Sequence, residues 1–388
     1  MKILKIIDDT FDGVFQGELP SHTEIANWVH KNGLATYIKA GEKLSGKDYC
    51  GIIDESITVG KQKLLLTLAA PAKPTGKPLM HEDVDVLGIA IAPSWDGESV
   101  KREIQNCSRK AGRVPSYMVS DNGVNLAKGI RETGIIHHRD ISHSIGLILE
   151  DAYKGQRDFN DFTKKLNEVR LKYHLTDMAF LLPSKQRAIA RFMNLFDWVE
   201  WAGKMLAAYP RLTKKQQESY AFVVENKPLI EELTTVMECV KDIEKRCKHE
   251  GISAETAMIC AWAATKLMTC QNSNRRMMAV GRNIGLYLLE EAKKIGAKDQ
   301  AHIISSDIIE STFGWFKTRQ PYNRLCGVTT SVLNLALVGK LTTKKRISEF
   351  DFKGNMEMVR LADIKEWRDL NLLDNWSVNR RETLKKAV

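Results

Sequence analysis

The hydrophobic pattern changes period partway along the chain, and this limits the fold more than any other feature. Between residues 48 and 143 the apolar residues come in short runs bounded by Gly, Pro, Asn and Asp. From 144 to 300 they recur at helical spacing, as in IEELTTVMECVKDIEKRC and AETAMICAWAATKLM. Strands are predicted over 47–56 (KDYCGIIDES), 61–70 (KQKLLLTLAA) and 83–93 (DVDVLGIAIAP), with a hairpin corner at Gly60-Lys61. A helix over 98–112, a strand over 115–121, a helix over 124–134 and a strand over 135–141 follow. Three strands in a row, then alternating helix and strand, indicate an α/β mixed sheet with a parallel part. Pro183, Pro210 and Pro228 are the expected helix boundaries in the long block.

Five segments result. Residues 1–47 hold one helix, capped by Ser21 with Glu24 three residues on, and Gly33 suits its end. Residues 48–143 form the first part of the sheet core, 144–300 an all-helical insertion, and 301–338 a returning helix with more helix behind it. Residues 339–388 form a charged tail containing Lys344-Lys345-Arg346 and Arg380-Arg381.

The 388 residues include 58 Lys and Arg against 48 Asp and Glu, a net charge of +10 that favours a polyanionic partner such as nucleic acid. Seven cysteines without CxxC spacing point to reduced thiols rather than a disulfide framework or a zinc site. The cluster from His137 to His143 contains three histidines but no cysteine or fourth ligand at zinc-site spacing. No stretch approaches the roughly 20 apolar residues of a membrane span. The opening MKILKIIDDTFDG meets acids too soon for a secretory leader.

Three acids stand where this topology would bring them together. Asp54 follows Gly51-Ile52-Ile53 on the first strand, Asp121 ends the fourth, and Glu310 lies on the helix after the insertion. Phosphodiester cleavage needs a hydroxide-like nucleophile and a stabilised leaving oxygen, which two Mg²⁺ ions held by carboxylates supply. Each acid has a plainer reading: a strand-end surface acid for Asp54, an Asp-Asn-Gly turn for Asp121, a capping box with Asp307 for Glu310. On the wheel of the last helix, Ile308, Ile309, Thr312, Phe313 and Phe316 form an apolar stripe. Glu310 and Lys317 lie about 20° apart opposite it, roughly 10 Å apart along the axis.

These segments resemble the DDE transposases. IIDESITVGKQKLLLTLAA is similar to their opening Asp strand and hairpin, VSDNGVNLAKGI to their second-Asp strand and helix, and IIESTFGWFK to their catalytic-Glu helix. RDISHSIG carries D-x-x-H at Asp140 and His143, similar to a motif found after the second Asp. The resemblance spans about 48–335. It implies a ribonuclease-H-like fold (β-β-β-α-β-α-β-α) interrupted by a helical insertion, in which the strands bearing Asp54 and Asp121 are neighbours. It further implies metal-dependent cleavage and strand transfer at transposon ends. Asp54, Asp121 and Glu310 would be the catalytic metal ligands for two Mg²⁺, with Mn²⁺ as a substitute, and Asp140 and His143 would support them.

Lys317, Arg319, Trp198 and Trp201 would contact DNA, with Trp262 a further candidate, although a tryptophan on such helices is first of all a core residue. Lys317 stands where one bacterial group has the lysine of its Y-R-E-K signature, whereas Ile303 and Ser306 replace the Tyr and Arg. The partners implied are transposon-end and target DNA and a second copy of the chain, in a homodimer or higher oligomer with no membrane. The expected location is a bacterial cytoplasm at the nucleoid, or the nucleus in a eukaryote. Only 47 residues precede the first strand, short of the usual end-binding domain. End recognition by the insertion and tail, a truncated or domesticated DNA-binding regulator, and another ribonuclease-H-like nuclease stay open.

Overall fold

The computed structural model describes residues 10, 18–59, 62–184, 192, 195–296, 301–319, 327–374 and 376–386. It divides into two compact units: Met1–Ala72 with Leu79–His137 and Ser306–Val388, and Lys73–Pro78 with His138–Ser305.

The first unit is built on a five-stranded sheet of β1 (Tyr49–Val59), β2 (Gln62–Pro71), β3 (Asp85–Ala92), β4 (Tyr117–Ser120) and β5 (Ile136–Arg139), in the order β3-β2-β1-β4-β5. β1, β2 and β3 form an antiparallel meander, and β4 runs parallel to β1. The sheet is therefore mixed, as the strand and helix pattern predicts. The unit boundary falls inside β5, between His137 and His138. The expected hairpin corner at Gly60-Lys61 lies outside the described residues.

β2 reads KLLLTLAA without alternation because both its faces are covered. On one face Ile53, Leu65 and Met118 pack with Val100 and Ile104 of α2 (Gly97–Ala111) and Leu126 and Ile130 of α3 (Val124–Thr133). Tyr49, Ala69 and Leu87 continue this layer with Cys107 and Ala111. α2 is set by its ends. Asp96 caps it by accepting the Ser99 N–H at 2.8 Å, and Gly112 closes it in the left-handed region at φ 68. On the other face Ile52, Leu64, Leu66, Leu68 and Val119 have no exposure. Burial of each such side chain contributes about 1.5–3 kcal/mol.

The N-terminal helix α1 (His22–Lys43) begins as expected. Ser21 Oγ accepts the Glu24 N–H at 3.1 Å, and Glu24 Oε2 accepts the Ser21 N–H at 2.6 Å. It does not end at Gly33. A Cβ there would stand 2.7 Å from the Leu333 carbonyl oxygen, so the glycine admits a close backbone crossing mid-helix. Leu333 belongs to a 3-10 helix, Thr330–Leu337, where the sequence predicts ordinary helix. Nor is 339–388 only a charged tail. Val359 and Ile364 are buried with Leu34, Ala35 and Leu333. Among the described residues four helices lie there: α12 (Lys344–Glu349), α13 (Phe352–Met358), α14 (Leu361–Asn371) and α15 (Trp376–Lys386), numbered after those below. Apolar positions this sparse among charges give no clear period, and partner helices distant in sequence supply the missing half of the core.

The second unit is helical. It comprises α4 (Ile141–Tyr153), α5 (Arg157–Tyr173), α6 (Leu195–Ala208), α7 (Lys214–Glu225), α8 (Lys227–Glu250), α9 (Ala254–Thr269) and α10 (Arg275–Lys293). One continuous core runs from Ile141 to Ile304 and includes Trp198, Tyr220 and Phe159. The prolines stand at boundaries: Pro210 in a short 3-10 turn after α6, Pro228 in the first turn of α8. No helix among the described residues is long and apolar enough to cross a membrane.

Candidate active site

The parallel register of β1 and β4 places the first two acids. Cys50, Gly51 and Ile52 pair with Tyr117, Met118 and Val119. Asp54 and Asp121 each stand two residues beyond the last pair, Asp54 within β1 and Asp121 just past the end of β4. Within β1, Asp54 shares the face of Ile52. Both aspartates are half-buried. Asp121 Oδ1 accepts the Gly123 N–H at 2.8 Å, which makes the turn that leads into α3, and Asp54 Oδ1 accepts the Glu55 N–H at 2.7 Å. Just before Asp121, Ser120 Oγ lies 2.8 Å from His137 Nε2. This Ser–His contact leaves no local signal in the sequence, because only the adjacency of β4 and β5 brings residues 120 and 137 together.

Glu310 stands on α11 (Asp307–Thr318), which packs against β1. Ile308, Ile309, Thr312, Phe313 and Phe316 are its buried stripe, as predicted. Thr312 is tolerated there because its hydroxyl donates to the Ile308 carbonyl at 2.7 Å. Glu310, Gly314 and Lys317 are exposed. The N-cap is Ser306, so Asp307 is the first helical residue and Asp307–Glu310 is not a capping box. Lys317 Nζ lies 5.8 Å from the Phe313 ring centroid, and the Arg319 guanidinium stacks 4.2 Å from that of Trp315. Both cations are exposed.

Hard carboxylate oxygens, such as those of Asp54 and Asp121, are the ligand type that suits Mg²⁺. A closed three-acid group is not assembled: among the described residues no three His, Cys, Asp or Glu side chains stand close enough to hold a metal ion.

In the helical unit, Asp140 is the N-cap of α4 and accepts the His143 N–H at 2.7 Å. The D-x-x-H spacing is thus also the spacing of a helix start. The histidines of 137–143 have different partners: Ser120 for His137, Glu291 and His302 for His138, Asp140 for His143. His138 Nδ1 is 3.0 Å from Glu291 Oε2 and its Nε2 is 2.9 Å from His302 Nδ1. Glu291 also receives Arg139 Nε at 2.9 Å and Lys294 Nζ at 2.7 Å. Burial works to raise the Glu291 carboxyl, but these three donors outweigh it and hold it down to about 2. Burial lowers His138 against the pull of Glu291. No local motif announces partners 153 residues apart.

The tryptophans sort by burial. Trp198, at 1% exposure, is in the helical core, and this removes it from the candidate DNA contacts. Trp201 is half-buried and its Nε1 donates to the Leu181 carbonyl at 2.9 Å. Trp262 is 69% exposed, with Lys266 Nζ 5.7 Å from its ring centroid. No protein-family model matches the chain, and no curated protein matches it in sequence.

Proposed function

We propose that the chain is a DDE-type DNA transposase: a metal-dependent polynucleotidyl transferase and endonuclease that cuts transposon ends and joins them to target DNA. The single observation that carries this reading is the parallel pairing of β1 with β4 through Ile52 and Val119, because Asp54 and Asp121 each follow two residues further along. The strand order β3-β2-β1-β4-β5, with a meander followed by parallel β4, supports a ribonuclease-H-like sheet. Glu310, on the exposed side of a helix packed against β1, supplies the third carboxylate.

Asp54 and Asp121 would hold Mg²⁺ or Mn²⁺, and Glu310 would join them when DNA is bound. The ions supply an activated oxygen nucleophile and charge stabilisation at the leaving oxygen. The chain's own residues do the rest. Lys317 and Arg319 neutralise backbone phosphates beside the acids and so fix the strand. Trp262 and Lys266 offer a second contact of the stacking and cationic kind in the helical unit.

A second reading, in keeping with the excess of 58 Lys and Arg over 48 Asp and Glu, is a protein that binds DNA or multimerises without cutting it. Incubating supercoiled plasmid with Mg²⁺ or Mn²⁺, wild type beside Asp121→Ala, separates the two. Metal-dependent nicking by the wild type and none by the variant supports cleavage chemistry. DNA binding by both proteins without nicking supports the second reading. Equal nicking by both removes Asp121 from the site.

A further inference from the structure

α8 and α9 form a helical hairpin whose facing sides carry sulfur. Cys247 lies in the last turn of α8 and Cys260 in the second turn of α9, with Gly251 in the left-handed region at φ 71 and the Ser253 cap between them. Their Sγ atoms are 3.9 Å apart, and each residue is 1% exposed. The pair is not sealed. A cavity of about 610 Å³ opens onto this hairpin, and its wall includes Cys260, Arg246, Glu250 and Trp262 but not Cys247. A small reagent therefore meets Cys260 first, with Cys247 behind it.

The two sulfurs are electrostatically unlike. The sulfur–sulfur contact with Cys247 lowers the Cys260 thiol pKa. Burial works against this, and the Arg246 guanidinium adds to the lowering. That guanidinium is held in place by Glu250, at 2.8 and 3.0 Å. The other described thiols with resolved shifts are poor nucleophiles. Burial pushes Cys50 up to about 12 and Cys107 and Cys239 up to about 11.

We propose that Cys247 and Cys260 are an oxidisable thiol pair, in which Cys260 is the thiol that a hydroperoxide modifies and Cys247 the one that resolves it. In the first step the Cys260 thiolate attacks a peroxide oxygen: the S–O bond forms, the O–O bond breaks, and hydroxide leaves with the thiol's proton as water. In the second, the Cys247 sulfur attacks the Cys260 sulfenic acid. The S–S bond forms, the S–O bond breaks, and hydroxide leaves with the Cys247 proton as a second water. The two thiols lose two electrons, and one hydrogen peroxide is reduced to two waters. The sulfurs must close from 3.9 Å to about 2.05 Å, which rotation of both side chains and a small helix shift provide. The product would staple the end of α8 to α9 beside the wall that carries Trp262.

The test uses the full chain. Reduced protein is treated with near-stoichiometric hydrogen peroxide, free thiols are alkylated, and non-reduced peptides are mapped by mass. The expected result is a Cys247–Cys260 linkage ahead of any linkage involving Cys239 or Cys270, reversed by dithiothreitol. In Cys247→Ser a dimedone-type probe should trap the sulfenic acid on Cys260, and in Cys260→Ser it should leave Cys247 unlabelled. Linkages scattered among the cysteines, quantitative alkylation of both thiols after peroxide, or equal trapping in the two variants would overturn the assignment. The wild-type map decides even where a variant folds poorly.

Discussion

Asp140 Oδ1 receives two hydrogen bonds from His143, one from its backbone N–H at 2.7 Å and one from its ring Nδ1 at 3.0 Å. The aspartate is 1% exposed, and both bonds stay within the first turn of α4. These bonds make a helix start, the proposed function would add a supporting role at an active site, and substitution separates the two. Asp140→Asn keeps a good N-cap and should change stability little, while Asp140→Ala should lower it by about 0.5–2 kcal/mol. Denaturant melts measure both. If Asp140→Asn melts like the wild type yet loses DNA nicking, the charge serves the chemistry; if it keeps full activity, the motif is a cap alone.

Glu291 is fully buried and bonded to His138, Arg139 and Lys294. Removing one partner of a buried charge cluster costs about 3–5 kcal/mol, so Glu291→Ala should be among the most destabilising changes in the helical unit. Its pH signature is distinct. The folded carboxyl, held down to about 2, lies below the unfolded value, so its stabilisation is complete above about pH 4.5. It is lost as the pH falls through 2. Thermal melts from pH 5 to 2 should show a steeper fall for the wild type than for Glu291→Gln. Parallel curves would mean that Glu291 carries no such linkage.

Lys110 is also held below its ordinary value, by burial rather than by partners. Its Nζ sits 3.1 Å from the Tyr37 ring centroid and donates to the Leu87 carbonyl at 3.0 Å, and burial pushes its pKa down to about 7. Unfolded lysine keeps its proton to about pH 10.4. Between these values the unfolded chain binds the extra proton, so Lys110 makes stability rise from pH 7 to 10. Lys110→Met should flatten that rise when melting temperature is followed across the range. A variant with an unchanged slope would rule the linkage out.

The sheet was legible because its signals are local. KLLLTLAA announces a strand covered on both faces, and Asp96 and Gly112 punctuate α2. Asp54 and Asp121 were singled out by strand position, and β1 and β4 are indeed parallel neighbours. What escaped depends on distant partners. Gly33 looks like a helix end until Leu333 arrives against it, and His138 looks like a loose histidine until Glu291 does. Trp198 and Trp262 sit on helices of similar composition, and only packing makes one core and the other surface. The third acid was placed by its helix, and the three-carboxylate group did not follow from that placement.

Trp198 and Trp262 give the sharpest contrast for the DNA-binding proposal. Trp198→Ala should empty a space in the helical core and lower stability by about 3–5 kcal/mol. Trp262→Ala removes an exposed ring and should leave stability within about 0.5 kcal/mol. Binding should respond in the reverse order. A base stacked on Trp262 is worth about 1–3 kcal/mol, so its loss should weaken single-stranded DNA binding by about 5- to 150-fold. Lys266→Gln, which removes one phosphate-binding charge, should make the affinity less steeply dependent on salt. Fluorescence anisotropy with a labelled oligonucleotide at several salt concentrations reads both effects. Wild-type affinity in Trp262→Ala would move the DNA path off α9 and leave its tryptophan to another partner.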